Sequence, residues 1–116
     1  MQVQAITKNI PMSAQKMREV VRQIQGLPAL TAQAKLDVTP RKGARAVAQT
    51  LKSALANAEE LARQGKFAAV KPEVLVVREA VAQTGTTFKR FTPKARGSAG
   101  PILKRRCHVK IVLSDE

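Results

Sequence analysis

Two alternating apolar segments on either side of a long basic stretch constrain the fold of this chain more than any other feature. Period-two spacing rich in β-branched residues is typical of strands. The residues with this spacing are Val77, Val81 and Ala82 in the first segment and Val109, Ile111 and Leu113 in the second. Residues 85–101 between them are rich in turn formers and poor in core formers. The sequence therefore predicts two strands joined by a long connection.

A structureless connection of this length is unusual inside a compact domain. We therefore predict that the two strands continue partly along residues 85–101 and form a protruding β-hairpin. Pro93 lacks the N–H that a strand ladder needs, and Gly97 permits a positive φ. These two residues mark the predicted tip.

The excess positive charge is concentrated in the same region. Residues 80–114 contain eight Lys and Arg and no Asp or Glu, in a chain with 21 basic residues, 8 acidic residues and a net charge of +13. Such a surplus favours a polyanionic partner, with nucleic acid first and an anionic membrane second. The eight basic residues are Lys89, Arg90, Lys94, Arg96, Lys104, Arg105, Arg106 and Lys110.

The first part of the chain predicts a short edge strand and two helices. Weak alternation indicates the strand at residues 2–7. Ser13 is placed as the N-cap of an amphipathic helix that Gly26 ends. Pro28 opens a second, short helix, in which apolar residues share a face at Leu30, Ala34 and Val38. A chain of 116 residues fits one domain with one modest core.

The third predicted helix is the longest. Thr39 as N-cap and Pro40 at the first helical position indicate its start, and Gly65 indicates its end. The small residues at 53–58 allow close approach, and we favour packing on the sheet over contact with RNA. Arg41 and Lys42 oppose the helix dipole, which favours anions at an N-terminus, so a bound phosphate would explain them.

The sequence offers little support for catalysis. Glu59 and Glu60 are adjacent on a helix and point about 100° apart, so they do not converge as an acid–base pair. Cys107 and His108 are adjacent on a predicted strand and face opposite sides, which rules out a nucleophile–base hydrogen bond. With one Cys and one His, the chain has no evident set of metal ligands. We predict no enzyme activity, cofactor or metal.

Membrane insertion and secretion are not expected either. No apolar run reaches the roughly 18 residues of a transmembrane helix, and the first eight residues lack the features of a signal peptide. A soluble intracellular protein is the expectation.

The predicted hairpin suits contact with nucleic acid. Its Lys and Arg side chains would contact phosphates and release counterions, and Arg adds planar bidentate geometry. Phe88 and Phe91 could stack on unpaired bases, although we slightly favour a small apolar cluster that steadies the hairpin. His108 can contact RNA or form a local hydrogen bond.

Four motifs together resemble the bacterial-type large-subunit ribosomal protein twenty-two family. They are the first-helix sequence SAQKMR at residues 13–18, the small-residue run SALANA at 53–58, and the hairpin sequences KRFTPKARG at 89–97 and ILKRRCHV at 102–109. They occur in the family's order, and the resemblance spans nearly the whole chain. The family usually has Arg at the positions of Lys94 and Ser98, so this hairpin tip carries two fewer arginines.

The resemblance implies an α+β fold, with a small antiparallel three-stranded sheet packed on three helices. A globular part at residues 1–82 and 103–116 would carry an extended basic hairpin at about 83–102. It also implies a structural constituent of the large subunit that binds its ribosomal RNA, aids assembly and lines the nascent-peptide exit tunnel with the hairpin tip. The expected location is the ribosome of the cytoplasm or of an organelle.

The implied partners are large-subunit ribosomal RNA, neighbouring ribosomal proteins and, transiently, the nascent peptide, with the chain a monomer in the ribosome and no membrane contact. From the residues and the resemblance together, we predict RNA contact at Ser13, Lys16, Arg18, Arg41, Lys42, Lys89, Arg90, Lys94, Arg96, Lys104, Arg105, Arg106, His108 and Lys110. The predicted tunnel tip is Phe91, Pro93, Lys94, Ala95, Arg96 and Gly97.

Two other interpretations follow from the same basic hairpin. An architectural protein could insert it into a DNA minor groove with the tip proline as a wedge, and such proteins usually need a dimer. A cationic membrane-surface protein would need aromatic residues on the apolar face of a helix, which the predicted helices lack.

Overall fold

The computed structural model describes residues 2–65 and 74–115. Over these residues the chain forms three strands, three α-helices and a short 3-10 turn. The elements in chain order are β1 (Gln2–Ile10), α1 (Ala14–Val21), α2 (Ala29–Val38), α3 (Lys42–Arg63), β2 (Val76–Pro93), the turn Ala95–Gly97 and β3 (Ala99–Ser114). Because helices pack on one antiparallel sheet, the predicted α+β fold is confirmed.

The sheet places β3 between β1 and β2, and both neighbours run antiparallel to it. β1 pairs with β3 only as far as Ile10, which lies opposite Cys107. β2 remains paired with β3 up to Pro93, opposite Ala99. Residues 85–106 therefore extend beyond β1 as a ladder of β2 and β3, which we call the arm.

The arm gives the molecule its elongated shape. The principal extents are 66 × 27 × 17 Å, and the radius of gyration is 17.6 Å. A compact domain of 116 residues would have a radius of gyration of about 13 Å. The predicted extension of the strands is therefore confirmed, and it reaches further than expected, to a connection of residues 94–98.

The core lies between the helices and the end of the sheet opposite the arm. α3 packs on β1 and β3, and α1 packs on β2. The largest fully buried side chains are Met17, Ile24, Leu51, Leu75, Ile111 and Leu113. In the small-residue run, Ala54 and Ala58 are buried while Ser53 and Ala56 are exposed. The predicted packing of this run on the sheet is confirmed.

The first helix begins where predicted but ends earlier. Ser13 is its N-cap, and its hydroxyl accepts a hydrogen bond from the Lys16 N–H at 3.4 Å. The predicted end at Gly26 is wrong, because the helix stops at Val21 and residues 22–26 form turns. Gly26, with a φ of +80°, donates its N–H to the Val77 carbonyl at 2.8 Å. The segment after the helix is thereby joined to β2.

The boundary between α2 and α3 also differs from the prediction. Thr39 does not cap α3, because it ends α2 and its hydroxyl donates to the Lys35 carbonyl at 2.7 Å. Pro40 therefore precedes α3, whose N-cap is Arg41 without a side-chain hydrogen bond. The predicted end of α3 is confirmed, since Gln64 is its C-cap and Gly65 has a φ of +75°.

Helix α2 turns the predicted apolar face away from the core. Leu30, Ala34 and Val38 do share a face, but all three are exposed. The buried residues of α2 are Ala29, Ala32 and Leu36. The Ala29 N–H donates to the Leu75 carbonyl at 2.9 Å, so pairing with the chain before β2 holds the start of α2 in this orientation.

Candidate nucleic-acid interface

An open cleft of about 1400 Å³ lies between the base of the arm and the first turns of α1 and α3. We call it the arm-base cleft. Its basic lining residues are Lys16, Arg18, Arg41, Lys42, Arg90, Lys104, Arg105 and Arg106. Ser13 also lines it, and so does the acidic Glu19, whose carboxylate lies 3.5 Å from Arg41 Nη1. The fold thus brings together predicted site residues from three separate parts of the sequence.

Helix α1 supplies one wall of the arm-base cleft and is held against the arm-side strand. Arg18 Nε of α1 donates to the Ala82 carbonyl at 3.3 Å, and Gln25 Nε2, in the turn that follows α1, donates to the Ala80 carbonyl at 2.9 Å. Both acceptors lie on β2, on the edge that faces away from β3. These bonds fix the helix beside β2, so Lys16 and Ser13 stand opposite the base of the arm.

The end of β1 contacts the arm where the arm leaves the sheet. The Asn9 N–H donates to His108 Nδ1 at 3.1 Å, and Arg106 Nη1 donates to the Asn9 carbonyl at 3.4 Å. Asn9 has a φ of 59° and sits in an irregular step of the β1–β3 register. Gly85 packs here, because an added Cβ would lie 3.1 Å from His108 Cε1. We call Asn9, Gly85, Arg106 and His108 the arm-base clasp.

Of the two interpretations of His108, the structure shows the local hydrogen bond. Nδ1 accepts from the Asn9 N–H, which leaves Nε2 as the ring nitrogen that can donate to another partner. Asn9 and Gly85 were not predicted as site residues. A glycine within a strand pattern can indicate close approach of another backbone, which is the signal that Gly85 offered.

The two arm phenylalanines are separated. Strand pairing is regular from Thr87 to Pro93, so residues three apart, such as Phe88 and Phe91, face opposite sides. The Arg90 and Arg106 guanidinium carbons each lie 5.5 Å from the Phe88 ring centroid. Phe91 is 73% exposed. The prediction that the two rings form one apolar cluster is therefore wrong.

The tip is a tight connection stabilised by backbone hydrogen bonds. The Lys94 N–H donates to the Ser98 carbonyl at 2.6 Å, and the Ser98 N–H donates to the Ala95 carbonyl at 3.3 Å. Arg96 and Gly97 both have positive φ, at 61° and 72°. The predicted turn at Pro93 and Gly97 is confirmed. The predicted tunnel-tip residues are all exposed, namely Phe91, Pro93, Lys94, Ala95, Arg96 and Gly97.

Some predicted site residues lie away from the arm-base cleft. Lys89, Lys94 and Arg96 are exposed on the arm and do not line the cleft, and of these three only Lys94 and Arg96 lie beyond it toward the tip. Lys110 lies on β3 beside Arg78 of β2, in a different surface depression. We call residues 91–101, beyond the cleft, the outer arm. The structure therefore gathers most of the predicted basic residues into the cleft and places Lys94 and Arg96 on the outer arm, with Lys89 and Lys110 outside both.

Cys107 and His108 are adjacent on β3 and have different environments. The Cys107 side chain is fully buried, and burial raises the pKa of its thiol above the ordinary value. His108 is half-buried and accepts a hydrogen bond from the Asn9 N–H. Within residues 2–65 and 74–115, no three His, Cys, Asp or Glu side chains are grouped to hold a metal ion. In the same residues, no helix combines the length and the apolar character needed to cross a membrane.

Comparison with known proteins identifies the family. The family model described as "Ribosomal protein L22p/L17e" matches residues 5–114. A protein of Akkermansia muciniphila named large ribosomal subunit protein uL22 is 43% identical over 116 residues, which covers 100% of this chain and 98% of the relative. A protein of the same name from Opitutus terrae is 44% identical over 115 residues, which covers 99% and 96%. The chain therefore belongs to the ribosomal protein L22p/L17e family and is a protein of the large ribosomal subunit.

Proposed function

We propose that this chain binds large-subunit ribosomal RNA through the arm-base cleft and along the arm. The observation that carries the proposal is the convergence in the cleft of basic residues from α1, from the start of α3 and from the arm. Among the described acidic residues, only Glu19 lines the cleft, and it pairs with Arg41. A cleft with this lining attracts a phosphate backbone.

The cleft residues would contact RNA mainly through phosphates. Arg105 and Arg106 are planar donors that match a phosphate in a bidentate manner, and Lys16 and Lys104 add point charges. No side chain caps the start of α3, and a helix N-terminus suits an anion beside Arg41 and Lys42. Such contacts position the protein on RNA and do not depend on base sequence.

The outer arm would continue this contact away from the globular part. We propose that residues 83–102 act as a distinct basic hairpin, with Lys89, Lys94 and Arg96 as further phosphate contacts. The tip would help to line the nascent-peptide exit tunnel and would contact the nascent peptide transiently. His108, through the ring nitrogen that does not bond to Asn9, and Lys110 complete the set of proposed RNA contacts.

We also propose a bridging role in subunit assembly, which the elongated shape supports. The molecule is 66 Å long, so the cleft and the tip can contact different RNA segments. In this proposal the chain acts as a structural monomer among neighbouring ribosomal proteins and has no catalytic role.

Salt-titrated affinity for large-subunit ribosomal RNA tests the proposal. In the first variant, Asn-Gly replaces residues 88–104, which joins Thr87 and Arg105, a pair opposite each other in the ladder. This change removes five basic residues, so the slope of log affinity against log salt should become shallower by about 0.7–0.9 for each lost phosphate contact. Lys104→Gln should remove one such contact.

Lys52→Gln is the matched control for Lys104→Gln. Lys52 is exposed on α3 and does not line the arm-base cleft, so its replacement should leave the salt slope unchanged. Equal slopes for the intact chain and the arm-shortened variant would contradict the role of the arm. Equal affinity for ribosomal RNA and duplex DNA at every salt concentration would show only nonspecific charge and would contradict specific RNA binding.

A further inference from the structure

The most exposed aromatic ring of the described residues lies on the outer arm. Phe91 is 73% exposed, whereas Phe88 is 40% exposed and lies beside two guanidinium groups. No core lies under this part of the arm, so the Phe91 ring contributes little to folding. A large apolar ring left in water gains free energy when a partner covers it.

The residues on the same face of the arm as Phe91 indicate the kind of partner that would bind there. Phe91 lies opposite Pro101, and the adjacent pair on the same face is Lys89 opposite Leu103. Arg105, opposite Thr87, is the next residue of β3 on that face. Phe91, Pro101 and Leu103 therefore form a small apolar surface on this face. Two cations, Lys89 and Arg105, lie next to it on the side nearer the globular part.

We propose that Phe91 is a stacking site for an unpaired RNA base. An aromatic ring covers the face of a base, while nearby cations contact the adjoining phosphates, and this combination is typical of single-stranded nucleic-acid binding. An apolar peptide would leave Lys89 and Arg105 without anions. A base within a duplex is already stacked on its neighbours, so the site selects a nucleotide that is out of the helix.

This inference rests on the proposed RNA-binding function. Within that function, Phe88 has a different role from Phe91. The Phe88 ring holds Arg90 and Arg106 on the opposite face of the arm, and Arg106 also donates to Asn9 of the arm-base clasp. Phe88 is therefore a positioning residue for two phosphate-binding side chains. Phe91 is the residue that would touch the RNA base.

Three RNA probes of equal length separate stacking from charge. They are a single-stranded oligoadenylate, an abasic oligomer with the same phosphates, and an RNA duplex. Phe91→Leu keeps an apolar side chain but removes the ring. This variant should lose affinity for oligoadenylate by roughly 5- to 150-fold with an unchanged salt slope, because that is the range for base–aromatic stacking. Its affinities for the abasic oligomer and the duplex should stay at the wild-type values.

Phe88→Leu is the matched control in the same arm. Loss of this ring should weaken binding to all three probes to the same extent, because it releases the two guanidiniums and touches no base. A fluorescent adenine analogue in the oligoadenylate gives a second measurement, since its emission should change on binding the wild-type chain and not on binding Phe91→Leu.

The results distinguish the two levels of the proposal. A wild-type chain that binds none of the RNA probes would contradict the proposed function itself. Two other results would overturn the stacking site alone, if the wild-type chain binds RNA. One is that Phe91→Leu binds oligoadenylate as tightly as the wild type does. The other is that Phe91→Leu loses as much affinity for the abasic oligomer as it loses for oligoadenylate.

Discussion

The two ends of the sheet share the strands β2 and β3 but differ in what covers them. At one end, Val77, Ile111 and Leu113 are fully buried under the helices. In the arm, the same two strands keep Phe91 and Leu103 in solvent. The ladder is paired in both regions, so backbone hydrogen bonds do not distinguish them. The comparison shows that burial by α1 and α3 stabilises the sheet, whereas the arm depends on the sheet for its position.

The largest difference should appear when the same truncation is made in both regions. Leu51→Ala removes a fully buried side chain of α3 and should lower the free energy of unfolding by about 2–5 kcal/mol. Leu103→Ala removes an arm side chain that is 44% exposed and should lower it by less than about 1 kcal/mol. Urea denaturation followed by circular dichroism measures both. Equal losses would show that the arm shares in the core.

The junction between the two regions should respond at an intermediate level. A methyl group at Gly85 would lie 3.1 Å from His108 Cε1 and 3.2 Å from the Arg106 carbonyl, so β2 and β3 must separate slightly at the arm-base clasp. Gly85→Ala should therefore cost about 1 kcal/mol, since overpacking outweighs the gain from a stiffer unfolded chain. Thermal unfolding measures the loss, and nuclear magnetic resonance of the His108 ring reports on its bond to Asn9.

Gln83→Ala is the control for this junction, because Gln83 is an exposed residue of β2 close to Gly85 in sequence. It should leave both the stability and the His108 ring signal unchanged. A Gly85→Ala variant with wild-type stability and an intact His108 bond would show that the arm-base clasp tolerates movement.

The smallest effect should come from the buried thiol at the same boundary. Because burial raises the pKa of Cys107, the folded chain keeps the thiol protonated at a pH where the unfolded chain begins to ionise. This contribution to stability is complete below the unfolded pKa of about 8.5 and is lost as pH rises through the raised folded value. The difference in unfolding free energy between wild type and Cys107→Ala should shrink over that window. A constant difference would mean that the thiol is not shielded when folded.

The sequence predicted the arm well because its signals are local. Alternating apolar residues indicated the strands, and Pro93 with Gly97 indicated the turn. The absence of acidic residues from 80–114 then indicated the kind of partner. None of these inferences required knowledge of residues distant in sequence.

The helix ends and the orientation of α2 were less predictable, because distant contacts decide them. Leu30 and Val38 gave α2 an apolar face as good as that of Ala32 and Leu36, so spacing alone could not choose between the two. Backbone pairing of residues 26–29 with residues 75–77 decided which face of α2 is buried. The arm-base cleft was unpredicted for the same reason, since it forms only when α1, α3 and the arm are brought together.

The point at which β1 stops has a consequence for the solubility of the free chain. Beyond Ile10, both outer edges of the arm present backbone N–H and C=O groups that the described strands do not pair. Open edges of this kind invite pairing between copies, and closely spaced charges are a common protection. Lys89, Arg90 and their basic neighbours would repel a second arm as long as no polyanion covers them. Neutralising the arm to test the proposed RNA binding would therefore also promote aggregation.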